Sequence, residues 1–337
     1  MLNQSAEGSL LLSRVLICGL GSIGRRHLRL LRQHWPSLNI AVLRSGHGPG
    51  CKEIDLVNHI FTSFSDALAW IPEAAIIASP ATDHLSKALP LARLGVPLLI
   101  EKPVGAGYES SSDWQELLCL SKTVPVGIAY VLRHDPCASF IKDQLVSGKL
   151  GEIVEADFYC GSWLPDWRSG LDYRECVSAR RDLGGGALLE LSHELDLAQW
   201  FLGPIELVSS LLEKSRLLDI DVEDQAILVG HSMDGCSVVM RLNFCTKPSR
   251  RHSTIRGSAG EIYWDLIDCK VQLTQGDGGT PQTFTYPISA DERYYLQMKH
   301  FLACAMQEAH PICSLSEGLK VLELVIQARY KHSGIAT

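Results

Sequence analysis

Short apolar runs alternate with amphipathic segments along the first 129 residues of the chain. The apolar runs predict β-strands at 15–18, 40–43, 74–78, 98–100 and 124–129. The segments between them predict helices at 23–33, 66–70, 84–94 and 111–121. This alternation is typical of βαβ units, so we predict an α/β domain over residues 1–129 with a doubly wound parallel sheet.

Residues 130–337 have longer strand patterns, which are separated by turn residues. Strands are predicted at 152–159, 225–230, 236–244 and within 253–273. One helix is predicted over 187–201, after three consecutive glycines, and a helical pair over 292–331. We therefore predict a second domain over 130–337, of the α+β class, with an open antiparallel sheet.

The amino-acid composition argues against several classes of binding partner. The 337 residues carry a net charge of -7 without a basic block, whereas a nucleic-acid surface needs clustered Lys and Arg. The 11 cysteines form no CxxC pair, which favours reduced thiols and a cytoplasmic location over a disulfide framework or a metal site. The apolar run at 10–12 is too short for a signal sequence or a membrane span, so we expect no membrane partner either.

A glycine-rich turn, Gly19-Leu20-Gly21-Ser22-Ile23-Gly24, joins the first predicted strand to the first helix. Here Gly19 permits the tight turn, Gly21 lets backbone N–H groups approach a pyrophosphate, and Gly24 lets helix and strand pack closely. We expect the turn, including Ser22 and Ile23, to bind a dinucleotide. The alternative, a tight turn without a ligand, would not require three glycines at this spacing.

The end of the second predicted strand bears on the choice between NAD and NADP. A carboxylate at this place accepts the ribose hydroxyls of NAD, but here the chain has Arg44 and Ser45. Arg44 can pair with a 2′-phosphate and Ser45 can donate a hydrogen bond to it, so NADP is favoured and NAD stays possible. Alternatively, Arg44 only stacks on the adenine of either cofactor.

Three further strings follow in order: 79–84 (SPATDH), 101–103 (EKP), and 184–186 (GGG) with Glu190 and His193. Together with the glycine turn, they resemble the glucose-fructose oxidoreductase / inositol dehydrogenase / MocA family over nearly the whole chain. The resemblance implies an N-terminal Rossmann domain, hydride transfer at a sugar or polyol carbon, and a homodimer or homotetramer formed through the C-terminal sheet. Further cofactor-binding residues are then expected in the second and third strings: Ser79, Pro80, His84 and Glu101.

The resemblance also implies that Lys102 lies beside the nicotinamide. This role is chemically reasonable because Lys102 follows a buried strand at the carboxyl edge of a parallel sheet, where ligands of such folds bind. Its ammonium could stabilise negative charge on the reacting oxygen. Pro103 restricts Lys102 to an extended conformation, and a cis bond would aim the side chain more tightly. The alternative is a lysine solvated at a strand end.

His193 is the candidate that exchanges the hydroxyl proton, since a group that titrates near neutrality suits this step. On one continuous helix, Glu190, His193 and Glu194 would share a face, and Glu190 could orient the imidazole. The family usually has an Asp four residues before the His, whereas here Glu190 lies three before it. Asp196 keeps the family's His-x-x-Asp spacing, so the partner carboxylate stays open. A surface histidine paired with carboxylates is the alternative.

An irregular segment, 161–174, is rich in groups that recognise carbohydrates, and we call it the lid. Its aromatic rings could stack on sugar C–H surfaces and its charged groups could bind hydroxyls or anionic substituents. The expected substrate-binding residues there are Trp163, Asp166, Trp167, Arg168 and Asp172. Four arginines favour an anionic sugar: Arg168, Arg174, Arg180 and Arg181. Alternatively, the lid covers the core, with Trp163 and Trp167 as plugs.

Tyr130 and Arg133 begin the second predicted domain and are expected to line the same cleft. The string LPDWR at 164–168, with ELSHE at 190–194, is similar to a branch of the family found with bacterial surface-sugar synthesis. We therefore predict an enzyme that interconverts a sugar hydroxyl and a ketone with NAD(P). Two alternatives are a non-catalytic dinucleotide sensor and a reductase of another acceptor, such as an imine or a pigment.

Overall fold

The computed structural model describes residues 12–46, 51–168, 170–276 and 278–332. The apolar run at 10–12 lies outside these ranges except for Leu12, and Ser169 of the lid lies outside them as well.

A six-stranded parallel sheet forms the first half of the described chain, with strand order β3-β2-β1-β4-β5-β6. Its strands are β1 (Arg14–Cys18), β2 (Asn39–Leu43), β3 (His59–Phe61), β4 (Ala74–Ile77), β5 (Leu98–Ile100) and β6 (Val126–Ile128). The helices between them are α1 (Ser22–His34), α2 (Phe64–Ala69), α3 (His84–Arg93) and α4 (Ser111–Leu120). The predicted doubly wound parallel sheet is confirmed.

The central strands of this sheet are apolar because both faces are covered. In β1, Val15 and Ile17 belong to one buried cluster, while Leu16 and Cys18 belong to the cluster on the opposite face. Continuous apolar runs are therefore needed here, and they are what the first 129 residues provide.

An eight-stranded sheet forms the second half, with strand order β14-β13-β12-β11-β7-β10-β9-β8. Its strands are β7 (Ile153–Gly161), β8 (Ile205–Glu213), β9 (Gln225–Ser232), β10 (Ser237–Asn243), β11 (Arg250–Gly257), β12 (Gly260–Asp265), β13 (Lys270–Gln275) and β14 (Gln282–Thr285). The helices are α5 (Pro136–Val146), α6 (Ala187–Glu190), α7 (His193–Leu202), α8 (Ala290–Ala305) and α9 (Leu315–His332). The predicted open antiparallel sheet is confirmed, apart from one parallel pair, β7 with β10. The boundary between 129 and 130 stays a prediction.

The prediction of one helix over 187–201 is wrong. The helical hydrogen bonding is interrupted at Leu191, whose φ of -101° and ψ of 27° end α6, and Ser192 precedes α7. Glu190 and His193 therefore lie on two different helices, so the argument that they share one helical face does not hold.

Within the described ranges, no helix is long and apolar enough to cross a membrane. The same ranges contain no cluster of three or more His, Cys, Asp or Glu side chains that could hold a metal ion.

Candidate active site

A cleft of about 810 Å³ opens at the carboxyl edge of the parallel sheet. It lies where the strand order changes direction, between β1 and β4, which is the place where open α/β sheets bind ligands. One wall, the cofactor wall, consists of the segments that follow strands β1 to β5. The other wall, the substrate wall, is formed by the lid, by residues 177–190 and by α8.

The glycine turn lines the cofactor wall, and each of its glycines has a different steric surrounding. Gly19 has a φ of +101°, and a Cβ there would lie 2.6 Å from the carbonyl oxygen of Ala78. A Cβ on Gly24 would lie 2.1 Å from the carbonyl oxygen of Gly19. At Gly21, by contrast, a Cβ would meet no described atom within 4 Å. The turn is therefore closely packed behind and open in front, which fits a pyrophosphate in front of Gly21.

The N-terminus of α1 is suited to an anion. Gly21 precedes the helix, no side chain caps it, and the first turn has no acidic residue. The positive end of the helix dipole and the first backbone N–H groups are then available to phosphate oxygens. Ser22 and Ile23 of this first turn also line the cleft.

The residues that follow β2 and β3 form the adenosine end of the cofactor wall. Arg44 and Ser45 line the cleft there, together with Phe64. The ammonium of Lys87, from α3, lies 5.1 Å above the ring of Phe64. None of the described lining residues that directly follow these two strands is acidic, which is the pattern expected for a site that tolerates a 2′-phosphate.

Ser79, Pro80 and His84 also line the cleft. The hydroxyl of Ser79 is buried and has no hydrogen-bond partner among the described residues, so it is a polar group available to a bound ligand. The ring nitrogens of His84 lie 2.9 Å from the carbonyl oxygen of Ser79 and 3.0 Å from that of Pro103. Burial lowers the pKa of His84, so its neutral ring links two cleft loops through backbone carbonyls.

Lys102 lies where the two walls meet. Its Nζ donates a hydrogen bond of 2.8 Å to the carbonyl oxygen of Glu190 and lies 4.0 Å from Glu190 Oε1. The peptide bond between Lys102 and Pro103 is cis. On the neighbouring residue, Glu101 Oε2 accepts a hydrogen bond from the backbone N–H of Lys102.

The carboxylate of Glu101 is held by a residue that the sequence analysis missed. His27, on the buried side of α1, lies with Nε2 2.6 Å from Glu101 Oε1. Its place three residues after Gly24 could have indicated this, because one turn of helix brings that position back toward the sheet.

Glu190 does not contact His193. Its Oε2 accepts a hydrogen bond of 2.9 Å from Ser178, whose own hydroxyl accepts one of 3.4 Å from Arg168 Nη1. Ser178 is fully buried and was not among the predicted site residues. It follows the lid in an irregular segment without a motif, so only the folded chain brings it to Glu190.

His193 is buried behind the cleft, with 8% of its surface exposed. The ring of Tyr130 packs edge to face against it, with 5.6 Å between ring centroids. His193 Nδ1 has no hydrogen-bond partner among the described residues. Burial, together with the positive charges of Arg251 and Lys102, holds the pKa of His193 well below its usual value of 6.5. The expectation of a group that titrates near neutrality is therefore wrong for the protein without ligands.

The other two candidate carboxylates for His193 are engaged elsewhere. Glu194 Oε1 accepts a hydrogen bond of 2.6 Å from Arg251, on β11, in a buried ion pair. Asp196 pairs with Arg133 at 2.8 Å. Neither these carboxylates nor Glu190 orients the imidazole in the described structure.

The prediction that Tyr130 and Arg133 line the cleft is wrong. Arg133 is 3% exposed, and its guanidinium also lies 2.5 Å from Glu317 of α9, which ties three segments of the second half together. Tyr130 is 1% exposed and supports His193 from behind, while its hydroxyl donates a hydrogen bond of 3.4 Å to Ser192.

Two of the five predicted lid residues line the cleft, Trp167 and Arg168. The other three do not. Asp166 lies 2.8 Å from Lys247 on the surface, Asp172 lies 2.6 Å from Arg174, and Trp163 packs against the core. Trp167 also packs against Phe244, so it is both a plug and a lining residue.

A tyrosine from the far end of the chain completes the substrate wall. Tyr294 of α8 lines the cleft, and the guanidinium of Arg26 lies 4.8 Å above its ring. Arg26 also lies 2.9 Å from Asp291 on the same helix. Tyr294 was not among the predicted site residues, because the amphipathic pattern of α8 does not distinguish a cleft residue from a core residue.

Two family models match the chain. Residues 13–128 match the NAD-binding Rossmann fold of an oxidoreductase family, and residues 139–263 match the GFO/IDH/MocA C-terminal domain.

Curated proteins show distant similarity. The rhizopine catabolism protein MocA of Rhizobium meliloti is 24% identical over 195 residues, which are 56% of this chain and 57% of MocA. The 2,7-anhydro-N-acetylneuraminate hydratase of Mediterraneibacter gnavus is 23% identical over 263 residues, which are 75% of this chain and 67% of the hydratase. The chain thus spans little more than half the length of MocA and about two thirds of the hydratase.

A solved structure has the same fold over nearly the whole chain. The WlbA dehydrogenase of Bordetella pertussis, in complex with NADH and UDP-GlcNAcA, matches with a TM-score of 0.77 and 18% identity. The match covers 96% of each chain.

Proposed function

The chain belongs to the GFO/IDH/MocA oxidoreductase family, and on that premise we propose that it is an NAD(P)-dependent oxidoreductase. The proposed reaction interconverts a hydroxyl-bearing carbon and a ketone of a sugar or sugar derivative. The observation that carries the proposal is the position of Lys102, whose ammonium lies where the glycine-lined wall meets Glu190. The cofactor class is supported by the steric fit of the glycine turn and by the unpartnered hydroxyl of Ser79.

Hydride exchange with the substrate carbon is the chemistry that a nicotinamide supplies when bound. Lys102 acts on the oxygen attached to that carbon. An ammonium has three N–H donors, and the carbonyl of Glu190 uses one of them. The remaining donors can stabilise negative charge on the oxygen while the hydride leaves or arrives. Glu190 is thereby a positioning residue for Lys102.

His193 accepts the hydroxyl proton in the direction of oxidation and returns it in reduction. As the carbon loses a hydride, the O–H bond breaks, the carbonyl forms, and the proton moves to the imidazole. The ring is neutral in the protein without ligands, so one of its nitrogens carries a lone pair that can take the proton. Tyr130 supports the ring by edge-to-face packing.

For the cofactor, we propose a preference for NADP that depends on Arg44. The adenosine end has Arg44 and Ser45 where NAD-specific sites have a carboxylate, and Lys87 adds a second positive charge nearby. The WlbA dehydrogenase was crystallised with NADH, so NAD is the alternative cofactor.

For the substrate, we propose an anionic sugar. The substrate wall combines the indole of Trp167, which can stack on sugar C–H surfaces, with a guanidinium from Arg168. Relatives that act on or bind sugar derivatives support this class: the hydratase by its name and the WlbA dehydrogenase by its ligand.

We also propose a homodimer or homotetramer that forms through the eight-stranded sheet. Leu211 is paired with Ile227 across β8 and β9, and Val229 is paired with Val239 across β9 and β10, so all four share one face. The first three of these side chains are exposed. An apolar patch on an open sheet face is stabilised when a second subunit covers it.

The proposed function is tested with Lys102→Ala. We expect turnover of a responsive sugar to fall by about 10²- to 10³-fold, the loss typical for removing one donor to a charged transition state. NAD(P)H binding, measured by nicotinamide fluorescence, should be retained, and Lys122→Ala at an exposed site should change neither quantity. Full activity of Lys102→Ala would contradict the proposal. A wild-type protein that binds NADPH or NADH but turns over no sugar would favour the sensor.

A further inference from the structure

Three of the four arginines in and after the lid already donate hydrogen bonds to aspartate residues. Arg174 lies 2.6 Å from Asp172, and Arg180 lies 2.6 Å from Asp182. Arg181 donates to the backbone carbonyl of Asp221, whose carboxylate in turn accepts from the backbone N–H of Arg181. All three arginines are exposed and none of them lines the cleft, so they are poor candidates for binding a substrate.

Arg168 differs from them in place and partner. It lines the cleft, is half-buried, and has no described carboxylate within ion-pair distance. Among the described residues, the only hydrogen bond of its guanidinium is the weak one of 3.4 Å that Nη1 donates to Ser178 Oγ. A guanidinium has five N–H donors, so most of its hydrogen-bonding capacity faces the cleft or solvent.

The position of Arg168 relative to the proposed reaction follows from a short chain of contacts. Ser178 Oγ donates 2.9 Å to Glu190 Oε2, and the carbonyl of Glu190 accepts 2.8 Å from Lys102. Ser178 thus lies between the guanidinium of Arg168 and Glu190, and Glu190 in turn positions the ammonium of Lys102. A substituent bound by Arg168 can therefore belong to the same sugar as the reacting carbon, and Trp167, the residue before Arg168, lines the same wall.

The charges at this end of the cleft favour one negative charge. Glu190 Oε1 lies 4.0 Å from the ammonium of Lys102, and the carboxylate of Glu101 lies 2.6 Å from His27. Among these side chains, the guanidinium of Arg168 is the positive charge that has no described carboxylate partner. A monoanion balances this charge, whereas a phosphate with nearly two negative charges exceeds it. The planar guanidinium also matches a carboxylate with two parallel hydrogen bonds.

We propose that Arg168 is the specificity-determining residue of the site and that it binds a carboxylate substituent of the sugar. The inference rests on the proposed function and adds to it the substrate class, a uronic-acid type of sugar. The sequence offers four candidate arginines for binding an anionic group. Among them, Arg168 is the one that lines the cleft, and it has no described acidic partner.

The test measures binding to the full-length protein saturated with NADH, by isothermal titration calorimetry. The ligands are glucuronate, galacturonate and mannuronate, each compared with its neutral hexose and with the hexose 6-phosphate. In the wild type, at least one uronate should bind about 10- to 100-fold more tightly than its hexose, as expected for charge-assisted hydrogen bonds. Arg168→Met should abolish this difference. Arg168→Lys should restore part of it.

Arg174→Met is the matched control, because it removes an arginine of the same lid that is paired with Asp172. Uronate binding should be unchanged in this variant. The proposal is overturned if no uronate binds better than its hexose, if the phosphates bind better than the uronates, or if Arg174→Met loses as much affinity as Arg168→Met. Failure of the proposed function has a different signature: wild-type protein that does not bind NADH or NADPH, or that binds sugars without hydride transfer.

Discussion

The cofactor wall of the cleft is built from the ends of parallel strands, whereas the substrate wall is built from the lid, short turns and the helices α6 and α8. On the cofactor wall, backbone atoms define the site: Gly19 and Gly24 approach their neighbours too closely for any side chain. On the substrate wall, side chains define the site. Each charged side chain there can bind a ligand only if another residue of the protein does not already neutralise it. Arg168 and Arg174 are six residues apart, yet only Arg174 is neutralised by an aspartate.

The comparison teaches that the two walls tolerate change differently. A backbone site is rigid and is destroyed by adding atoms, whereas a side-chain site is altered by exchanging charges. The following variants test that difference, from the largest expected effect to the smallest.

The first test concerns the backbone of the cofactor wall. Gly24→Ala would bring a Cβ within 2.1 Å of a backbone oxygen, so we expect a loss of about 3 kcal/mol or more in the free energy of unfolding, measured with urea. Gly21→Ala is the matched control for the fold, since Gly21 has an ordinary φ of -72° and open space around it. It should unfold like the wild type but bind NADPH and NADH at least about 10-fold more weakly, because its methyl group occupies the proposed pyrophosphate position.

Equal stability of Gly24→Ala and wild type would show that the backbone of the turn can relax. It would contradict the statement that the cofactor wall is rigid. Unchanged dinucleotide affinity in Gly21→Ala would instead move the pyrophosphate away from α1.

The second test concerns the side-chain part of the cofactor wall, at its adenosine end. Arg44→Asp replaces a cation with a carboxylate that repels a 2′-phosphate and can accept ribose hydroxyls. We expect the ratio of the NADPH and NADH dissociation constants to shift toward NADH by about 10- to 100-fold, as measured by nicotinamide fluorescence. The same charge reversal at exposed Lys122 should leave the ratio unchanged. If Arg44→Asp leaves it unchanged as well, Arg44 does not read the phosphate.

The third test concerns His193, which is buried behind the cleft. Its pKa is about 6.5 when the chain is unfolded and well below that value when folded. Between these two pKa values, the unfolded chain binds more protons than the folded one. The contribution of neutral His193 to the free energy of unfolding is therefore fully present above pH 6.5 and decreases as the pH falls. The slope from His193 is at most about 1.4 kcal/mol per pH unit.

Urea unfolding between pH 5 and pH 7 measures this slope. We expect His193→Asn to have a flatter dependence of stability on pH than the wild type below pH 6.5. His310, an exposed residue between α8 and α9, provides the matched substitution, His310→Asn, which should leave the slope unchanged. Parallel curves for His193→Asn and the wild type would mean that burial does not depress the pKa of His193.

The elements that could be predicted from the sequence are those set by neighbouring residues. The parallel strands, the glycine turn before α1 and the position of Lys102 after β5 all follow from patterns a few residues long. The helix expected over 187–201 shows the limit of such patterns, because its apolar period continues across the interruption at Leu191. The hydrophobic period of a segment indicates which face of a helix is buried, but it does not indicate where the helical hydrogen bonding is interrupted.

By itself, the sequence determined the fold class, the glycine turn and the candidate residues of both walls, because hydrophobic period and steric demand act over short distances along the chain. Only the tertiary structure decided which charged residues are available. Arg133 is held away from the cleft by a hydrogen bond to Glu317, which lies 184 residues further along the chain. Glu194 is neutralised by Arg251, which lies 57 residues further along. The physical reason is that a buried charge requires a partner in space, and that partner can come from any part of the chain.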